Sequence, residues 1–401
     1  MGLRILVIPA SAMLTDHQPH GDGLIGFGFI RELAARGHEL HVAAGLVDIH
    51  EGLPPNVHLY ALSDGHLGWA ERTRFVRRVR RLNRRLTRSI AFDLVHQLTP
   101  VDVGVSLALA DSPAPLVLGP YVPDWPPSGE GADAVVSPGV LRIKSLLRRA
   151  QQARATTVLL STPAAESKLE LRNGRRPHVH ELPLGVDDRS WVPADRGGAG
   201  QDVLFLANLE VRKGIHVLLD AFTQLVTQLP DARLLIGGVG KELDSVRRRI
   251  RSSSSLARVE LLGYVERERV RAALQACDVY CLPSYGDPAP LAVVEAMACA
   301  RPVVATDDGG LRYLVPDEGG FKVPPGDASA LAAALRAVLA DPHLGRAMGE
   351  HNRRVVEERY AWSRVVDRLE DHYREAICEP RQGLRGRWHA SGTGSRAPAR
   401  R

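Results

Sequence analysis

Two acids and one lysine in the second half of the chain have residue types and spacing suited to binding a phosphate-bearing ligand. Asp287 lies in a loop rich in Gly, Pro and Ser, and Glu295 follows eight positions later in a helix that begins near Leu291. The first turn of a helix has N–H groups without partners inside the helix, so the backbone at Leu291 and Ala292 is a seat for phosphate oxygens. Lys213 adds a positive charge where another loop enters a helix.

Each acid also has an ordinary structural explanation. An Asp in a Gly-Pro loop is usually a turn former. A Glu near a helix N-terminus usually complements the helix dipole. Taken singly, Asp287 and Glu295 therefore favour a structural role, and only their combination is specific enough to indicate a binding site.

The elements around these residues predict where the site lies. Apolar runs at 278–282 and 302–305 read as buried strands on either side of the helix, which gives one βαβ unit. Its loop follows the carboxyl end of the first strand, where open α/β sheets bind ligands. Strands and helices alternate through both halves of the chain, so we expect an α/β protein with two parallel sheets, each covered by helices. A length of 401 residues suits two domains.

The stretch 287–305 resembles the signature of retaining glycosyltransferases of family 4, the glycosyl transferases group 1, which have the GT-B fold. The family has a Glu, seven residues, a second Glu, an Ala-Met-Ala-like helix and a Pro-Val-Val-Ala strand. Here Asp287 takes the first position and Glu295 the second, followed by Ala-Met-Ala at 296–298 and Pro-Val-Val-Ala at 302–305. The shorter Asp reaches less far than the family's Glu. The resemblance covers nearly all of residues 1–378 and is stronger in the second half.

The resemblance implies two Rossmann-like parallel-sheet domains that face each other across a cleft. The predicted boundaries are 1–184 for an acceptor-side domain, 185–200 for a linker, 201–360 for a nucleotide-sugar-binding domain, 361–378 for a helix packing back on the first domain, and 379–401 for a disordered basic tail.

The resemblance also implies a role for each donor-side residue. Glu295 would bind ribose hydroxyls, and Asp287 would accept hydrogen bonds from the transferred sugar. The N–H groups near Leu291 and Ala292 would meet the phosphate oxygens. Lys213 would neutralise the β-phosphate as the glycosidic bond breaks, which is where such a charge raises the rate.

The loop that carries Lys213 departs from the family at one position. Lys213 and Gly214 match the family's Lys-Gly, but Asn208 stands where the family has Arg. The family's Arg and Lys hold the donor diphosphate. Either this site stabilises the leaving group less, or Arg212 substitutes for the missing charge.

Two features of the first half bear on the acceptor side. A strand at 4–9 leads into a predicted loop with Gly21 and Gly23, whose backbone can approach a phosphate closely, and the loop resembles the family's N-terminal Gly loop. His96 ends a predicted strand where the family often has His-x-His, with the second His facing the sugar. Here Leu98 holds that second position, so both a substrate contact and a structural role stay open for His96.

The hypothesis from the sequence is a retaining glycosyltransferase that moves a hexosyl group from a UDP- or GDP-sugar to an alcohol acceptor on a glycan, lipid or secondary metabolite. No Asp-x-Asp occurs in the chain, so we expect a metal-independent enzyme without a cofactor. One alternative is a nucleotide-sugar epimerase of GT-B fold. The other is a non-catalytic subunit that binds sugar nucleotides.

A basic helix predicted at 71–90 raises the question of a membrane partner. An apolar stripe runs along it at Phe75, Val79, Leu82, Leu86 and Ile90, and arginines cover the remainder. One interpretation is a membrane-surface face that docks a lipid-borne acceptor. The other is a solvated outer helix in a protein whose basic residues, at a net charge of +6, are nearly all Arg. No nucleic-acid partner is expected.

The N-terminus reads as a short strand rather than a secretory signal, and no apolar stretch approaches the roughly 18 residues that would span a bilayer. The four cysteines have no metal-ligand spacing, so we interpret them as reduced core residues. The expected location is cytoplasmic, with peripheral contact at the inner membrane face through 71–90 as an open question.

Overall fold

The computed structural model describes two large parallel sheets, each with helices packed against it, and one small two-stranded sheet formed by residues 13–15 and 46–48. The described residues are 2–9, 13–18, 21–63, 69–99, 104–109, 112–124, 138–171, 177–194 and 200–378.

The N-terminal part contains nine strands and three α-helices within the described residues. The strands are β1 (Arg4–Pro9), β2 (Met13–Thr15), β3 (Glu39–Ala44), β4 (Leu46–Asp48), β5 (Val57–Ala61), β6 (Leu94–Leu98), β7 (Leu116–Tyr121), β8 (Thr157–Leu160) and β9 (His178–Glu181). The helices are α1 (Gly21–Ala35), α2 (Trp69–Leu86) and α3 (Pro138–Gln152).

The C-terminal part continues the alternation of strands and helices. Its strands are β10 (Asp202–Leu206), β11 (Arg233–Gly237), β12 (Val259–Gly263), β13 (Val279–Leu282), β14 (Val303–Thr306) and β15 (Gly320–Val323). Its helices are α4 (Ile215–Leu225), α5 (Leu243–Ser252), α6 (Arg267–Ala276), α7 (Leu291–Ala298), α8 (Leu311–Leu314), α9 (Ala328–Ala340), α10 (Pro342–Val355) and α11 (Trp362–Cys378).

Both main sheets are parallel, as predicted. The first has the order β5-β3-β1-β6-β7-β8-β9 and the second the order β12-β11-β10-β13-β14-β15. Central strands such as β10 and β13 are buried at every position, because helices cover both faces of a parallel sheet. In the second sheet β10 lies between β11 and β13, so the direction of strand succession reverses there. The carboxyl ends of β10 and β13 therefore flank the expected ligand crevice.

The predicted Gly loop in the first half is wrong, because Gly21 and Gly23 lie in the first turn of helix α1. Glycine is a poor helix former, and tertiary packing overrides that preference here. A Cβ on Gly28 would lie 2.1 Å from Cζ2 of Trp362, so only glycine lets α1 approach this tryptophan. The glycines of this segment thus include one that serves helix packing.

Helix α11 returns to the N-terminal sheet after the chain has completed the second sheet. Trp362, Val366, Leu369 and Tyr373 share one apolar cluster with strand β1 and helix α1. The predicted boundaries of the domains stay a prediction, and the basic tail at 379–401 lies outside the described residues.

The basic helix predicted at 71–90 is α2, which ends at Leu86, so Ile90 lies beyond the helix. Phe75, Val79, Leu82 and Leu86 are all buried in a cluster with side chains of β1, β6 and β7.

Cys378 is exposed at the end of α11, so the expectation that all cysteines are core residues is wrong for this one. Among the described residues, no helix combines the length and the apolar character needed to cross a bilayer.

Candidate functional site

The loops that follow β10 and β13 form the candidate site. Lys213 ends a single 3₁₀ turn, Val211–Lys213, just before α4. Asp287 lies between β13 and α7. Because β10 and β13 are paired neighbours, both loops leave the sheet at the same edge.

Lys213 and Asp287 are in direct contact across these two loops. Nζ of Lys213 lies 2.5 Å from Oδ2 of Asp287. The side chains are only 15% and 4% exposed. Such a charge-assisted hydrogen bond in a poorly solvated place fixes the position of both groups. The sequence placed these residues 74 positions apart and the fold joins them.

Close backbone contacts hold the Asp287 loop in place. Gly214 has a φ of +73°, and a Cβ there would lie 1.9 Å from the carbonyl oxygen of Pro283. On the other side, the N–H of Gly310 donates to the carbonyl oxygen of Asp287 at 2.8 Å. Close contacts with Gly214 on one side and Gly310 on the other therefore hold this loop in one conformation. The Asp287 carboxylate is thereby pre-organised.

Helix α7 begins at Leu291, as predicted, and presents its N-terminus next to this loop. Pro290 precedes it, and no side chain caps the helix start. Leu291 and Ala292 lie in the first turn, where backbone N–H groups point out of the helix. The positive end of the helix dipole and Lys213 thus act at the same place, which suits a phosphate group.

Glu295 is buried on α7 and has one ionic partner that the sequence analysis missed. Nη1 of Arg267 lies 3.1 Å from its Oε1. The guanidinium of Arg267 in turn lies over the ring of Trp191, 5.1 Å from the centroid. Burial raises the pKa of Glu295, and the charge and hydrogen bond of Arg267 oppose the rise. Arg267 lies at the start of α6 among other charged residues and belongs to no recognised motif. The sequence therefore gave no reason to single it out.

Tyr280 lies on β13, the strand that leads into the Asp287 loop. Its fully buried phenol donates to the carbonyl oxygen of Leu206 at 3.1 Å and so ties β13 to β10. Burial raises the pKa of Tyr280, and the charges of Asp287 and Glu295 raise it further.

The first turn of α1 faces the first turn of α7 across the two halves of the chain. A Cβ on Gly21 would lie 4.0 Å from Cδ1 of Leu291. Gly23 is buried in the same turn of α1. A small crevice, with room for about one water molecule, opens beside α7 and is lined by Ser161, Thr162, Leu184, Ala289, Pro290, Leu291, Val294 and Leu314.

Two hydroxyls in this crevice were not predicted. Oγ of Ser161 and Oγ1 of Thr162 are buried and have no hydrogen-bond partner within the described residues. Both follow the carboxyl end of β8. Buried hydroxyls without partners are costly, which favours a ligand that bonds to them.

Asn208 and Arg212 lie in the same loop as Lys213 with different surroundings. Asn208 is exposed. Nε of Arg212 lies 2.5 Å from Oε2 of Glu210, so its charge is partly neutralised there. The substitution of Arg212 for the missing family arginine stays a prediction.

His96 is fully buried, and both of its ring nitrogens have partners. Nε2 lies 2.8 Å from the carbonyl oxygen of Gly119, and Nδ1 lies 2.6 Å from the hydroxyl of Tyr373. Nε2 therefore carries the hydrogen, and Nδ1 accepts from Tyr373. Burial lowers the pKa of His96 to about 4, so the ring is neutral at pH 7. Of the two roles left open, this geometry favours the structural one.

Comparison with known proteins places the candidate site in a recognised segment. Residues 196–355 match the family model described as glycosyl transferases group 1. This segment contains Lys213, Asp287 and Glu295, so the resemblance to that group is confirmed for residues 196–355.

The curated relatives include mannosyltransferases. The chain is 37% identical over 196 residues to the phosphatidyl-myo-inositol mannosyltransferase of Mycobacterium leprae, covering 47% of this chain and 51% of that protein. It is 31% identical over 215 residues to a GDP-mannose-dependent monoacylated alpha-(1-6)-phosphatidylinositol monomannoside mannosyltransferase of Corynebacterium glutamicum, covering 49% and 56%. The chain thus spans about half the length of these relatives.

Solved structures match nearly the whole chain. Sucrose-phosphate synthase of Thermosynechococcus elongatus aligns with a TM-score of 0.72 at 22% identity, covering 93% of this chain and 98% of that one. HepE of Anabaena, solved with UDP-glucose, aligns with a TM-score of 0.69 at 19% identity, covering 93% and 100%. The fold is therefore GT-B, with two Rossmann-like α/β domains, as predicted.

Proposed function

We propose that this chain transfers a hexosyl group from a nucleoside-diphosphate sugar to a hydroxyl acceptor. The observation that carries the proposal is the contact of Lys213 with Asp287 beside the N-terminus of α7. This arrangement combines a cation and a helix start for a diphosphate with a carboxylate for sugar hydroxyls. The names of the relatives favour GDP-mannose as the first donor to test.

Donor binding would rearrange the ion pair. A nucleoside diphosphate brings at least two negative charges to a place where one ammonium already faces one carboxylate. The Lys213 ammonium would turn toward the β-phosphate, and the Asp287 carboxylate would then accept hydrogen bonds from hydroxyls of the sugar. Glu295 would accept hydrogen bonds from the ribose, while Arg267 keeps its other oxygen in place.

Bond cleavage would be assisted by charge already in position. As the glycosidic bond breaks, negative charge grows on the leaving diphosphate, where Lys213 and the N–H groups of Leu291 and Ala292 stabilise it. The leaving phosphate would take the proton of the acceptor hydroxyl on the same face of the sugar, which retains the anomeric configuration. This chemistry uses no metal and no cofactor.

The acceptor would enter from the N-terminal side. Ser161 and Thr162 line the small crevice beside α7, and their hydroxyls, which have no partner within the described residues, would bond to a hydroxyl of the acceptor. Since several relatives are named for a phosphatidylinositol acceptor, we propose a lipid-borne polyol for this chain.

The surface of the N-terminal part offers two basic helices for such a lipid. The apolar stripe of α2 is buried, and within residues 74–86 the exposed side chains are arginines. Helix α3 differs because Leu141, Ile143 and Leu146 are 48%, 53% and 61% exposed beside basic residues. We therefore expect α3 to contribute more than the predicted segment 71–90 to peripheral binding of anionic vesicles.

One assay tests the proposal and its alternatives. The chain is incubated with a panel of UDP- and GDP-sugars, with and without phosphatidylinositol vesicles or soluble polyols, and products are identified by mass spectrometry. A glycosylated acceptor plus free nucleoside diphosphate supports the proposal, and the anomeric coupling in NMR reports retention. A new nucleotide sugar without acceptor indicates an epimerase. Donor binding without turnover indicates a non-catalytic subunit.

A further inference from the structure

Three histidines and one glutamate converge where strand β9 meets helix α11, on elements that carry none of the donor-side residues. His178 and His180 lie two positions apart on β9 and therefore share one face of the strand. His372 and Glu375 lie three positions apart on α11 and share one face of the helix. The two faces meet.

The distances among their ligand atoms are short. Nδ1 of His178 lies 3.5 Å from Oε1 of Glu375, and Nε2 of His180 lies 3.0 Å from Oε2. Nδ1 of His372 lies 4.0 Å from the same Oε2. Ligand atoms around a tetrahedral zinc ion are separated by about 3.3 Å, given its bond lengths. The observed separations reach that value with small side-chain movements.

The surroundings of His180 leave one ring nitrogen available as a ligand. Nε2 of His180 is buried and makes no hydrogen bond of normal geometry within the described residues, even though Glu375 is close. The rings of His180 and His372 stack with centroids 4.2 Å apart, so His372 lies beside the proposed ligands.

Two other groups of three such residues are less suited to a metal. In the first, His41 and His58 both approach one oxygen of Glu39, and that carboxylate also pairs with Arg4. In the second, His17 already contacts Asp16 through Nδ1 and Gln18 through Nε2. Glu375, in contrast, has only histidines as ionic partners among the described residues: His178 at Oε1, and His180 and His372 at Oε2.

We propose that His178, His180 and Glu375 bind a divalent transition-metal ion of the zinc type, with His372 or a water molecule in the fourth position. Two imidazole nitrogens and a carboxylate oxygen form a ligand set that Zn²⁺ takes in tetrahedral sites. The ion would join the last strand of the N-terminal sheet to the final helix. It would stabilise the contact between β9 and α11 and would take no part in the sugar-transfer chemistry.

The test is zinc binding by the full chain, produced without a histidine tag. Isothermal titration with Zn²⁺ is run on the unaltered chain and on the variants His180→Gln and Glu375→Gln. His58→Gln serves as the matched histidine control, and Cys378→Ser excludes binding at the exposed thiol. Melting without metal is measured for every variant, so that a misfolded one is recognised and replaced by His178→Gln.

We expect one zinc per unaltered chain, a metal-dependent rise in melting temperature, and retained binding in His58→Gln and Cys378→Ser. Affinity should fall at least about 10-fold in folded His180→Gln and Glu375→Gln. Co²⁺ should give the visible absorption of a tetrahedral site in the unaltered chain and in the two controls, but not in His180→Gln or Glu375→Gln. Failure of the unaltered chain to bind zinc, or full affinity in the two ligand variants, overturns the proposal.

Discussion

Removal of the Lys213 ammonium should affect stability and catalysis by different amounts, because its partner is almost completely buried. Nζ lies 2.5 Å from Oδ2 of Asp287, whose side chain is 4% exposed. Taking one partner from a buried ion pair costs about 3–5 kcal/mol, since the remaining charge stays without compensation. We expect Lys213→Ala to lower the free energy of unfolding by about 3 kcal/mol, near the lower limit because the pair borders a crevice.

The double variant separates the structural from the chemical role. Lys213→Ala combined with Asp287→Asn removes both charges of this ion pair. No uncompensated charge then stays buried at this position, so most of the lost stability should return. Activity should not return, because loss of a charge aimed at the leaving group costs about 10²–10³-fold in kcat. Urea denaturation at pH 7 gives the stabilities, and release of nucleoside diphosphate gives kcat.

Lys322 provides a matched control. It forms a 2.6 Å ion pair with Asp317, whose side chain is 84% exposed. Such an exposed pair contributes little, although Lys322 also donates to the carbonyl oxygen of Val315 at 3.1 Å, so Lys322→Ala should keep activity and lose less stability than Lys213→Ala. The reasoning is refuted if Lys213→Ala loses less than about 10-fold in kcat, or if the double variant regains activity together with stability.

Three further predictions concern other parts of the molecule. Glu295→Gln should weaken nucleoside-diphosphate binding by about 10–100-fold in isothermal titration, since hydrogen bonds to a charged group are worth about 1.5–3 kcal/mol; unchanged affinity would remove Glu295 from the site. Burial raises the pKa of Asp16, but hydrogen bonds from the backbone of Glu51, from the side chain of His17 and from the backbone of His50 outweigh it and lower the pKa from 3.8 to about 2. The stability from Asp16 is therefore present above pH 4 and lost as the pH falls toward 2, so Asp16→Asn should cost roughly 2 kcal/mol at pH 7 and little at pH 2, measured by denaturation at both. Gly28→Ala should destabilise by about 1–3 kcal/mol or more by displacing Trp362, whereas Gly345→Ala, with only ordinary contacts, should not; equal melting temperatures would contradict this.

The donor-side elements could be predicted because local signals mark them. Short apolar runs bounded by Gly and Pro gave β13, β14 and the start of α7 at Leu291 to within about a residue. Parallel strands then require both site loops to lie at one edge, which brought Lys213 and Asp287 together. The direct ion pair itself depends on side-chain packing and had no sequence signal.

Other features depend on contacts between distant parts of the chain. The glycines at 21–28 suggested a loop, but Trp362 must pack against α1 at Gly28. For His96 the sequence left a substrate contact and a structural role open, because the partner Tyr373, which favours the structural role, lies 277 positions away. Arg267 and the histidines of β9 and α11 likewise acquire their partners only through the tertiary fold.

The most direct test of the central claim is a crystal structure of the chain with a nucleoside-diphosphate sugar that it binds. We predict that the diphosphate lies at the first turn of α7, within hydrogen-bond distance of Nζ of Lys213, with the ribose at Glu295 and the sugar at Asp287. A diphosphate bound on the N-terminal sheet, or anywhere out of reach of Lys213, would contradict the account.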